Sequence, residues 1–220
     1  MFNESKRVTL TVCILLGLII LFASIYFFQH KSHENEIDLS EFHGTLLKNP
    51  REMAPFSFTA TDNKPFDTTW LQGKWTLVFF GFTQCGYLCP TTLAQLSNMH
   101  HLLITDGTVP LPAVVMISLD PERDTLSGLK AYVQGFNSNF YAARGDEESV
   151  KRMANELGIA YDKVQIDGDN NPHHYDIQHS GALMLFNPKG QLNAFFTTPL
   201  QAAWLAKDYN LLVSKNKIGG

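Results

Sequence analysis

Cys85 and Cys89 are the side chains in this 220-residue chain whose type and spacing most directly imply chemistry. They stand in the run Gly81-Phe82-Thr83-Gln84-Cys85-Gly86-Tyr87-Leu88-Cys89-Pro90. Four residues apart on a helical turn, two sulfurs can face the same way. Their Cα atoms would lie about 6 Å apart, inside the range of a disulfide. The same placement lets two thiolates hold one small ion, and a helix N-terminus keeps thiolate available near neutral pH. Three uses are open. A structural disulfide suits an oxidising compartment, although such a bridge more often closes a long loop than one turn. A redox dithiol is the second, here spaced CxxxC rather than the CxxC of thiol–disulfide exchange. A soft-metal site is the third, since two thiolates select Cu(I). A structural zinc site takes four ligands, and three cysteines cannot supply two pairs.

A metal needs a third ligand. The eight histidines are His30, His33, His43, His100, His101, His173, His174 and His179. The first three fall in a polar stretch. His100 and His101 follow the cysteines on the same helix and read as surface or half-buried residues. His173, His174 and His179 cluster in an expected loop before a strand, which can lie at the cysteine end of a sheet. Spacing does not choose among those three.

These residues need a frame. Trp75–Phe82 and Ala113–Leu119 are nearly continuous apolar runs of strand length, as suits strands covered on both faces. Pro90 can open a helix, with Leu93, Leu96, His100 and Leu103 on one face. Phe56–Ala60 alternates like a short strand, and Thr61–Pro65 is a turn. Asp120-Pro121-Glu122-Arg123-Asp124 reads as the acidic start of a helix. A short strand is expected at Phe140–Ala143 and a helix at Glu147–Leu157, stopped by Gly158. Ala182–Phe186, a turn at Asn187–Gly190 and Gln191–Thr197 read as a closing hairpin, and Gln201–Val213 as a last helix. Strands alternating with helices indicate an α/β sheet layer covered by helices.

Charge narrows the setting. Seventeen basic and 21 acidic side chains give −4, which argues against a nucleic-acid partner. Residues 8–28 carry no charge, and 17 of those 21 residues are apolar. About 20 helical residues span a bilayer, so 8–28 is expected to be a retained transmembrane anchor. A cleaved signal peptide is the rival, but its apolar core is shorter and ends in small residues, whereas this run ends in Tyr26-Phe27-Phe28. Lys6 and Arg7 precede it, favouring a cytoplasmic N-terminus over 1–7. Residues 29–52 read as a tether, and 53–214 as the folded domain outside the cytoplasm. Cys13 falls within the anchor.

The run from Gly81 to Ala94, with Cys85-x3-Cys89-Pro90, closely resembles the Sco/SenC family of membrane-tethered copper proteins. Phe56-Ser57-Phe58-Thr59 with Gly73-Lys74-Trp75 is similar to that family's opening strands. Ile117–Thr125 resembles its Asp-Pro-Glu-Arg-Asp-Thr motif, and Tyr175–Ser180 its Tyr-x-Val-Asp-His-Ser segment. The match covers about residues 53–212. The resemblance implies a thioredoxin-like fold with a central sheet flanked by helices, N- and C-terminal hairpin additions, and a single N-terminal transmembrane helix. It implies copper, as Cu(I) and in a second state Cu(II), held by Cys85, Cys89 and His179. It also implies assembly of the dinuclear copper site of cytochrome c oxidase, with that enzyme's copper-bearing subunit or another copper chaperone as partner.

Asp120 matches a family acid and is expected beside the ligands, its alternative being a helix N-cap. Two positions depart from the family pattern: Gly86-Tyr87 replace Pro-Asp between the cysteines, and Gln178 replaces the Asp before the histidine. If Gln178 supports the imidazole as that Asp does, loss of its charge weakens Cu(II) binding more than Cu(I) binding. Two functions are carried forward. One is a copper chaperone without enzymatic activity. The other is an extracytoplasmic thiol–disulfide oxidoreductase cycling Cys85 and Cys89; a peroxiredoxin is a further option on the same fold. The minimal N-terminus fits the bacterial inner membrane, with the domain on the periplasmic side, better than the mitochondrial inner membrane.

Overall fold

The apolar runs become the centre of a sheet. In a computed structural model that describes residues 9, 14–27, 41–165 and 175–216, the elements are α1 (residues 14–27), β1 (Thr45–Arg51), β2 (Ser57–Ala60), β3 (Pro65–Asp67), β4 (Thr76–Gly81), α2 (Leu88–Thr105), β5 (Ala113–Ser118), α3 (Leu126–Gln134), β6 (Tyr141–Arg144), α4 (Glu147–Leu157), β7 (Tyr161–Gln165), β8 (Tyr175–His179), β9 (Leu183–Phe186), β10 (Leu192–Phe196) and α5 (Ala202–Asn216). The chain divides into two units, Met1–Ser40 and Glu41–Gly220.

In the first unit, α1 carries exposed apolar side chains from Ile14 to Phe27. Among the described residues no helix is long and apolar enough to cross a membrane. The anchor expected over 8–28 lies partly outside them, as do Cys13, His30, His33, His173 and His174.

In the second unit, among the described residues, an eight-stranded sheet runs β1-β10-β9-β4-β5-β6-β2-β3. β4, β5 and β6 are parallel neighbours, while β9, β10 and β1 continue antiparallel on one side. Successive strand residues point to opposite faces. Val78 and Phe80 therefore join the core formed with Val150, Met153 and Ala154 of α4. Leu77 and Phe79 face the other way and are equally buried; on that side Trp75 meets Tyr209 of α5 edge-on. Burial on both faces is the outcome expected of the continuous apolar runs. α4 has its expected boundaries: Asp146 caps Ser149 N–H at 2.7 Å, and Gly158 takes the left-handed conformation, φ 71°, that a Cβ would disfavour.

Three expectations are corrected. Residues 45–51, assigned to the tether, form β1 against β10. His43, also assigned there, lies with Nδ1 3.0 Å from the buried Asp208 carboxylate and stacks on Trp204, so this segment is pinned to α5. Residues 120–124 do not start a helix. They form a turn, and α3 begins at Leu126 with Thr125 as its cap, because both aspartates are taken up by tertiary partners.

Candidate metal centre

The two cysteines sit where β4 passes into α2. Cys89 lies in the first turn of α2 and is fully buried, while Cys85 lies in the preceding loop and is half-buried. The close approach needs Gly81: a Cβ there would stand 2.8 Å from Cys89 Sγ and 3.1 Å from Met116 Sδ. The N-cap residue Tyr87 offers no side-chain cap. Cys85 Sγ takes that role, accepting the Cys89 N–H at 3.3 Å, so a sulfur satisfies one of the helix's orphan donors.

His179 arrives from β8. It does not lie in a loop, as expected, but ends the antiparallel β7–β8 pair. Its Nε2 is 3.5 Å from Cys89 Sγ and 3.9 Å from Cys85 Sγ, and its ring meets Phe82 edge-on at 5.9 Å. Its Nδ1 lies 3.1 Å from the Ser180 carbonyl, a contact that orients the ring with Nε2 toward the sulfurs.

The pair is electrostatically asymmetric. Cys85 is lowered to about 3, chiefly by the hydrogen bond from the Cys89 thiol and further by His179 and the backbone N–H groups of Cys89 and Tyr87, against the opposing effect of burial. Cys89 is raised, first by that same hydrogen bond, then by burial and the neighbouring Cys85 charge. The proton stays on the buried sulfur and the charge on the accessible one.

Among the described residues, Cys85, Cys89 and His179 form the cluster able to hold a metal ion, their ligand atoms all within 4.8 Å of one another. Bonds of about 2.0–2.3 Å to one ion at trigonal angles place ligand atoms about 4 Å apart, so the set fits a three-coordinate soft ion with small adjustments. Two sulfurs and one imidazole suit Cu(I).

The comparisons agree. The SCO1/SenC family model matches residues 45–214. The chain belongs to the SCO1/SenC family. A Stutzerimonas stutzeri protein named for copper binding is 32% identical over 157 residues, 71% of this chain and 74% of that protein. The crystal structure of Arabidopsis thaliana ScoI with copper bound is 28% identical with a TM-score of 0.65, covering 74% of this chain and 97% of that one. BsSco, described as a member of the Sco family of cytochrome c oxidase assembly proteins with a disulfide switch, shares the fold at 20% identity and TM-score 0.57, covering 77% and 98%. The mixed α/β, thioredoxin-like fold is thus that of the Sco proteins.

Two further residues, Gln178 and Asp120, were expected beside the ligands. Gln178 is exposed on β8 and, one residue before His179, points to the opposite face; the Ser180 carbonyl holds the imidazole instead. The buried Asp120 caps no helix and has Arg123 and Tyr175 as its partners. Conversely, sequence did not single out Asp124. Its carboxylate accepts from Thr83 N at 3.2 Å, Thr83 Oγ1 at 2.5 Å and Ser118 Oγ at 2.6 Å, tying the cysteine loop to the end of β5. No local signal separates this buried acid from the exposed Glu122 in the same acidic turn.

Proposed function

We propose that this chain binds Cu(I) as cargo through Cys85, Cys89 and His179 and passes it on during assembly of the dinuclear copper site of cytochrome c oxidase. The observation that carries this reading is the convergence of two sulfurs and one imidazole nitrogen within 4.8 Å, in a chain of the SCO1/SenC family. Cys85 stands at the open side of the centre and Cys89 at its floor. A ligand from an incoming partner therefore reaches the ion beside Cys85, and transfer proceeds by exchange of one ligand at a time. The partner is the copper-bearing oxidase subunit or another copper chaperone. Residues 8–28 anchor the chain in the inner membrane and present the domain on the periplasmic side. Titration of the reduced full chain in detergent with Cu(I), against a competing chelator, tests the site. Stoichiometric binding should weaken in His179→Ala and vanish in a Cys85→Ser, Cys89→Ser double variant; equal binding by all three overturns the reading.

The asymmetric thiol pair supports a second reading, thiol–disulfide exchange. Cys85 thiolate attacks one sulfur of a partner disulfide, forming a mixed disulfide and releasing the other partner sulfur as thiolate, which takes up a proton. Cys89 then loses its proton and attacks Cys85 Sγ, freeing the second partner thiolate and closing the Cys85–Cys89 disulfide. An external dithiol must reduce it again. A reduction potential far above that of the partner disulfide would exclude this direction of electron flow.

A further inference from the structure

β7 and β8 are not part of the main sheet; they pair with each other as a separate two-stranded sheet. His179 is thus carried by a strand whose setting against the cysteines depends on side chains as well as on chain continuity. We infer that Arg123 and Asp120 clamp Tyr175 and, through it, position His179 over the cysteine pair.

Three contacts make the clamp. The Tyr175 hydroxyl donates to Asp120 Oδ1 at 2.7 Å. Arg123 donates through Nη1 to the Tyr175 carbonyl at 2.8 Å, and its guanidinium lies 3.8 Å from the Tyr175 ring centroid. Arg123 Nε also pairs with Asp120 Oδ2, so the parts of the clamp brace one another. Lys163 of β7 covers the ring from 5.2 Å and pairs with Glu122 and Glu147.

The geometry explains the reach. Residues i, i+2 and i+4 of a strand line one face, and on β8 these are Tyr175, Ile177 and His179, the less exposed set. Holding the Tyr175 face against the 120–124 turn fixes the rotation of β8 about its own axis. That rotation decides where His179 points. The turn is itself fixed: Asp124 binds Thr83 of the cysteine loop, and Arg144 donates to the Pro121 carbonyl at 3.0 and 2.5 Å. One turn therefore holds both halves of the centre, the cysteine loop through Asp124 and the histidine strand through Asp120 and Arg123.

This positioning role rests on the three-ligand reading, and a double-mutant cycle separates the two. Cu(I) affinity is measured for the full chain, Tyr175→Phe, His179→Ala and the pair. Tyr175→Phe removes the hydroxyl and keeps the ring over Arg123. A loss of about tenfold is expected in the His179 background, the scale of one hydrogen bond, and less than about twofold in the His179→Ala background. Equal losses in both backgrounds, or no loss in the first while His179→Ala weakens binding, overturn the clamp alone. An unchanged affinity in His179→Ala removes the ligand reading and the clamp with it. Should Tyr175→Phe fail to fold, the same cycle is run with Arg123→Lys, which keeps a cation beside Asp120 but loses the planar fork; the same pattern is expected and the same outcomes overturn it.

Discussion

The distribution of one proton between two sulfurs governs the chemistry of this site. An ordinary thiol is almost wholly protonated at pH 5, whereas Cys85, held down to about 3 by the Cys89 thiol, is thiolate there. Brief treatment with iodoacetamide at pH 5 should therefore carboxamidomethylate Cys85 and leave Cys89 free. Peptide mass mapping checks this, and comparable labelling of both residues would contradict the asymmetry. The imidazole depends on a backbone group, the Ser180 carbonyl, so Gln178→Asp should change Cu(II) affinity by less than about threefold, within the range of exposed charge effects. Asp124 matters more. Asp124→Ala leaves Thr83 and Ser118 without their acceptor in a largely buried setting. A loss of about 2–3 kcal/mol is expected in urea unfolding, together with weaker Cu(I) binding as the cysteine loop loosens.

The elements show what their own sequences do and do not contain. β4, β5 and β9 were legible because strands covered on both faces must be apolar throughout. α4 was legible because its stop signal is local, a glycine at φ 71°. β1 was not: its burial pattern shows no buried residue, and only its pairing with β10 makes it a strand. The acids at 120 and 124 look like helix-start residues until partners 41 and 55 positions away claim them. The cysteine pair was visible in its spacing, whereas His179 could be chosen over its neighbours only through the family resemblance. Gly81 gives a sharp test of how β4 meets α2. Gly81→Ala places a methyl against Cys89 Sγ, and an overpacking cost of about 1–3 kcal/mol is expected, with Cu(I) affinity falling more than in a control such as Gly86→Ala, where the added Cβ meets open space. α2 also carries a pH dependence. The buried His100 sits 2.9 Å from the Pro112 carbonyl, and burial lowers its pKa. Below about pH 6.5 the unfolded chain binds a proton there that the folded chain refuses, so stability falls as pH drops through that window. The urea midpoint of His100→Gln should vary less between pH 7.5 and 5.5 than that of the parent chain; parallel profiles would count against it.

For the whole molecule, the proposed copper transfer would require that an oxidisable dithiol be held beside a membrane enzyme. Residues 8–28 would form a helix of about 31 Å, matching a hydrocarbon core of about 30 Å, and the Lys6-Arg7 pair favours the orientation that leaves the domain outside the cytoplasm. That placement has a redox consequence. In an oxidising compartment the Cys85–Cys89 pair closes unless a reductant opens it, and the closed form offers copper no thiolates. Under the proposed placement, the anchor and the thiol pair would act as one functional unit, with location setting how often the site is open. Two measurements separate the parts. The full chain should stay with membranes through an alkaline carbonate wash, and a chain lacking residues 1–28, directed to the same compartment by a cleavable signal, should be released. A phosphatase reporter fused after Gly220 should be active only if the C-terminus lies outside the cytoplasm. If the full chain is released by carbonate, or the reporter is inactive, the proposed anchor or its orientation is wrong. The Cu(I) affinity of the purified, reduced domain should be the same with and without residues 1–28, because the proposed ligands Cys85, Cys89 and His179 all lie outside them.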